Sequence, residues 1–117
     1  MRVELHRIAH ARAGDKGNRL NLSLTAIAPE IYPVLREKVS AEFVADVFAS
    51  RRPSKVVRYE LPKLFALNFV LDDVLEGGVN ASLGLDGHGK SLSFLLLGAT
   101  VEIDDALAER FAGRKMA

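Results

Sequence analysis

Residues 20–26 read Leu20-Asn21-Leu22-Ser23-Leu24-Thr25-Ala26, and this stretch decides the class of fold. Apolar and polar residues alternate with a period of two, the mark of a strand with one buried and one open face. Upstream, Val3 to His10 also reads as a strand, with Val3 and Leu5 on one face. Its alternation slips at Arg7-Ile8, which predicts a bulge or an edge position. Between the two runs lies Arg12-Ala13-Gly14-Asp15-Lys16-Gly17-Asn18. Two glycines bracket an acid and a base there, which is turn chemistry. The expectation is a hairpin with residues 12–18 as a polar loop at its tip.

Working outward, Pro29-Glu30 ends the second strand, and Pro33 suits the first turn of a short helix from Val34 to Lys38. Ser40 is placed to cap a second helix, with Glu42 near its positive end and Phe43, Val44, Val47 and Phe48 as the buried stripe. Arg51-Arg52-Pro53-Ser54 breaks that helix, and Val57, Tyr59 and Leu61 alternate as a strand. From Phe65 to Glu76, Leu67, Val70, Leu71, Val74 and Leu75 follow helical spacing, with Gly77-Gly78 as the stop. Val79 to Leu85 reads as a strand and Asp86-Gly87-His88-Gly89 as a turn. Ser91 to Leu97 has no period and fits either helix or strand. Val101 to Ile103 is a short strand, and Asp104 caps a last helix with Leu107 and Phe111 four apart and Gly113 after it. Strands and helices interleave behind an opening hairpin. This predicts one domain over residues 1–117, an α+β sandwich of a mainly antiparallel sheet with helices on one face.

Composition narrows the function classes. Of the 117 residues 49% are hydrophobic, enough for a real core. No apolar run approaches the ~18 residues of a membrane span, so no membrane association is expected. The start, Met1-Arg2-Val3-Glu4-Leu5-His6, carries charges where a secretory leader is apolar, and the expected location is the cytoplasm. The absence of cysteine excludes disulfides, thiolate metal sites and a cysteine nucleophile. The net charge of +1 conceals a division: residues 1–63 hold 12 Lys/Arg and 7 Asp/Glu, whereas residues 64–117 hold 4 and 8. Such a bipolar surface steers anions to one end or favours head-to-tail self-association; ordinary surface scatter is the plainer account. No long basic stripe and no basic run interleaved with aromatics supports nucleic-acid binding.

Three stretches together resemble a known family. They are His10-Ala11-Arg12-Ala13-Gly14-Asp15-Lys16-Gly17-Asn18; Arg58-Tyr59-Glu60-Leu61-Pro62 with Ala66-Leu67-Asn68-Phe69-Val70-Leu71; and Gly77-Gly78-Val79-Asn80-Ala81-Ser82-Leu83. As a set they resemble the AtuA-like domain of the acyclic terpene utilisation family, over residues 3 to 103. The resemblance implies a ferredoxin-like α+β fold. In that family the domain is often the C-terminal part of a much longer chain and also occurs as a small separate protein. The longer members are associated with catabolism of branched acyclic isoprenoids through their coenzyme A thioesters. With no counterpart of the large N-terminal part, the expectation is a small subunit or accessory domain. It would form a homo-oligomer or assemble with a larger AtuA-like subunit.

The candidate site residues follow from these segments. Arg12 and Lys16 suit a phosphate or carboxylate, helped by loop N–H groups around Gly14, Gly17 and Asn18. Such a ligand could be an anionic small molecule or an acyl-CoA. Asp15 is either a base or the partner that orients Lys16, and His10 beside the loop suits a proton shuttle. As an independent enzyme the chain would use Asp15 or His10 as base, with Lys16 stabilising a developing anion. The alternative is a structural loop in which Asp15 caps backbone N–H groups and Lys16 is solvated. Asn21, Asn68, Asn80 and Ser82 interrupt apolar elements, and buried polar groups need partners. They either line a pocket at the loop or tie backbone segments together.

Other motifs carry less. Ser82, in Asn80-Ala81-Ser82-Leu83-Gly84, lacks the nucleophile-elbow context. His6, His10 and His88 have no metal-ligand spacing, and neither a metal nor a cofactor is implied. Gly84-Leu85-Asp86-Gly87-His88-Gly89-Lys90-Ser91 formally matches a phosphate-binding loop. An NTPase also needs a parallel core and a metal-holding Asp on another strand, and the nearest candidate, Phe69-Val70-Leu71-Asp72, reads as helix ahead of the loop.

Overall fold

The computed structural model describes residues 1–16, 19–74 and 88–112. Its centre is the alternating stretch, strand β3 (Arg19–Ala26), in which Leu20, Leu22 and Leu24 are fully buried. Strand β2 (Ala9–Lys16) pairs with it antiparallel from Ala9↔Ala26 to Lys16↔Arg19. On its other side β3 pairs with β5 (Ala66–Asp72), and β5 in turn with β4 (Lys55–Leu61). The sheet order is β2-β3-β5-β4, antiparallel throughout. Strands β3 and β4 therefore run the same way with β5 between them, the split arrangement of a ferredoxin-like fold. A second, two-stranded ribbon joins β1 (Arg2–Glu4) to β6 (Thr100–Glu102).

The helices among the described residues pack against the face that Leu20, Leu22 and Leu24 bury. Helix α1 (Tyr32–Lys38) contributes Tyr32 and Leu35 to the core, and α2 (Ala41–Val47) contributes Val44. The Ser40 side chain caps α2 as its position implied, accepting from the Phe43 N–H at 3.0 Å. Helix α3 (His88–Leu97) lies over β2, burying Leu92 and Leu96. The inward residues of β2 there are Ala9, Ala11 and Ala13, whose small side chains let the helix come close to the strand. After β6, Asp104 accepts from the Ala106 N–H at 3.1 Å and starts a helical turn, Asp105–Leu107, that widens into a π turn over Ala108–Ala112. No helix among the described residues is long and apolar enough to cross a membrane.

Three expectations need correction. Residues 12–16 are not loop: β2 continues to Lys16, because pairing with the buried alternation of β3 holds the register to its end. The stretch from Val3 is not one strand either. A 3-10 turn, Leu5–Arg7, divides it, and the Leu5 N–H reaches the Ala99 carbonyl at 2.8 Å, so β1 goes to the ribbon and β2 to the main sheet. The predicted helix from Phe65 is strand β5, with Leu67, Phe69 and Leu71 fully buried. Residues 91–97, ambiguous in sequence, are helical. The expected stop at Gly77-Gly78, the strand over 79–85 and the first half of the following turn lie outside the described residues, while His88 and Gly89, expected in that turn, instead open helix α3.

Candidate functional site

Register fixes what the uncovered side of the main sheet presents. Residues paired directly across strands project on the same side. Arg12 stands opposite Ser23, Ser23 opposite Asn68, and Asn68 opposite Tyr59. These four form one row across all four strands, ~15 Å wide at the usual strand spacing. The next row is Gly14, Asn21, Val70 and Val57. On the other flank lie His10, Thr25, Ala66 and Leu61. Among the described residues no helix lies over these rows, and Ala66 alone of them is buried. Arg12, Gly14, Asn21 and Tyr59 are exposed, and Ser23, Asn68 and Val70 are half-buried.

The structure thus brings Arg12, Gly14, Asn21 and Asn68 onto one surface, together with Ser23 and Tyr59. The last two escaped the sequence reading. For Ser23 the signal was present in the β3 alternation. For Tyr59 it required knowing that Asn68 sits in a strand. Gly14 has no steric reason to be glycine: a Cβ built there meets nothing within 4 Å. It leaves a bare patch of backbone beside Arg12 instead.

At the end of the face nearest residues 17–18, Arg19 Nε donates to Asp72 Oδ1 at 2.6 Å. That hydrogen bond, and the carboxylate charge behind it, hold the Arg19 pKa above its ordinary value. Asp15 stands opposite Leu20 in the register and Lys16 opposite Arg19. His10 is six positions back along β2, ~20 Å from Lys16 at strand rise. Gly17, Asn18, Asn80 and Ser82 lie outside the described residues.

Other signature residues have structural work. Arg58 projects from β4 toward α1, where Nη1 donates to the carbonyls of Arg36 at 2.7 Å and Val39 at 3.0 Å. A cation there satisfies carbonyls at a helix C-terminus, which have no partner within the helix. Glu60 steadies Arg58 at 2.9 Å. Asp72 does end an apolar strand, but it is held by Arg19 in an antiparallel sheet, unlike the parallel core of an NTPase. Among the described residues no three His, Asp or Glu side chains gather as a metal site.

One group of exposed apolar residues lies at the β4 edge and the turn that follows it, and a second, Phe94 and Leu95, on α3. Tyr59 is 52% exposed and Leu64 64%, with Leu61 and Phe65 also open. Phe65 adopts a left-handed backbone (φ 53°), and its carbonyl accepts from the Ala26 N–H at 2.9 Å.

An antiparallel sheet backed by helices, with polar residues collected on its bare side, defines a ferredoxin-like α+β domain. Residues 3–102 match the family model of the AtuA ferredoxin-like domain, and the chain belongs to that family. No curated protein and no solved structure matches it.

Proposed function

We propose that this domain is an accessory subunit that works by assembly, docking its bare sheet face and β4 edge onto a larger AtuA-like partner in acyclic isoprenoid or acyl-CoA catabolism. The observation that carries this reading is the row Arg12, Ser23, Asn68 and Tyr59, which gathers residues from two separate signature segments on an uncovered face. Arginine and aromatic side chains are favoured at interfaces. The apolar rim at Leu61 and Leu64 lies beside the edge strand, where unpaired backbone groups invite another chain.

The test is affinity capture of the tagged chain from its own cells, followed by reconstitution with any AtuA-like chain recovered. Stoichiometric recovery, lost in Arg12→Glu and in Leu64→Glu while both variants keep the wild-type melting temperature, supports the reading. A chain that stays monomeric and is recovered alone refutes it.

A further inference from the structure

A recess at one end of the main sheet lies beside the proposed docking row rather than within it. A groove of about 390 Å³ is lined by His6, Arg7, His10, Ile27 and Phe111. Four segments build it: the 3-10 turn after β1, the first residues of β2, the residue following β3, and the π turn. The Ile27 N–H donates to the Ile8 carbonyl at 3.0 Å, which ties two of these walls together.

The lining divides by chemistry. Arg7 and the two histidines supply nitrogen groups, Ile27 and Phe111 supply an apolar wall, and no acid is among the five. Glu4 stands outside the lining and steadies it: its Oε1 lies 3.0 Å from His6 Nε2 and 3.6 Å from Arg7 Nε. On the far side the Arg110 guanidinium stacks 4.8 Å from the Phe111 ring centroid and reaches Glu30 at 3.5 Å. A volume in this range is that of small-molecule sites, which pair an apolar wall with a few polar groups that fix orientation. A guanidinium and imidazoles match a carboxylate.

We propose that this groove binds a small monocarboxylic acid, with its carboxylate at Arg7 and His10 and its hydrocarbon chain against Ile27 and Phe111. The inference does not rest on the assembly reading: His10 stands in the row beside the docking row, but the test uses the purified chain alone.

Calorimetry and NMR of the purified chain test it with a series from acetate to octanoate, and with hexanol and inorganic phosphate as controls. Affinity should rise with chain length, and hexanoate should shift the His10 and Phe111 ring resonances. Arg7→Gln and Phe111→Ala should each weaken hexanoate about tenfold. Lys38→Gln, a charge removed from α1, should leave binding unchanged. His10→Gln provides a second polar variant should Arg7→Gln lower the melting temperature. The proposal is overturned if hexanol binds as well as hexanoate, if phosphate binds as well, if neither polar variant weakens binding, or if no acid binds at millimolar concentration.

Discussion

Single residues show where signature and stability part. Gly14 has open space around its missing side chain, so Gly14→Ala should fold normally and gain about 0.5 kcal/mol by restricting the unfolded chain. Thermal or denaturant melting checks the stability. Loss of partner capture with stability intact would mark the bare backbone as part of an interface. Tyr32 gives the opposite case. Its ring is buried and meets Phe65 edge to face at 6.3 Å, yet among the described residues its hydroxyl has no hydrogen-bond partner. Tyr32→Phe removes a desolvated group with nothing to replace, and should raise stability by about 1 kcal/mol. A lower melting temperature would mean that the hydroxyl has a partner after all.

Elements show what the sequence makes legible and what it hides. Strand β3 is legible because its alternation is clean and its buried leucines have no competing period. The caps at Ser40 and Asp104 are legible because they act within three residues. Strand β5 is not, because two periods coexist in it. Leu67, Val70, Leu71 and Val74 fit a helix, whereas Leu67, Phe69 and Leu71 fit a strand. The choice is made by β3 and β4, partners remote in sequence. The same ambiguity hid how the candidate residues meet, since Asn68 joins Arg12 only through strand register. Phe69→Ala decides between the two periods: a fully buried strand residue costs ~3–5 kcal/mol, whereas on the expected helix Phe69 falls off the apolar stripe. The cost of Arg58→Ala should be about 2 kcal/mol, because two carbonyls at the end of α1 lose a charged donor. Denaturant unfolding measures both.

At the scale of the whole molecule, charge and topology act together. Part of the basic excess of residues 1–63 falls on the two edges of the main sheet, through Arg12 on β2 and Lys55 and Arg58 on β4, where Glu60 offsets one charge. Acidic Glu102, Asp104 and Asp105 gather around the ribbon. The ribbon also has a kinetic consequence. Arg2 pairs with Glu102 and Val3 with Val101, so this small sheet forms only after nearly the whole chain has been gathered in. The entropy of closing so long a loop is recovered only when the main sheet already holds its ends close. Folding should therefore zip the ribbon last, and native fluctuations should open it first. Hydrogen exchange at Val3 and Val101 should be faster than at Leu22 and Phe69. Because Leu5–Arg7 follows β1 directly, each opening would release one wall of the His6–Phe111 groove, making that groove a place the protein can gate without unfolding its sheet.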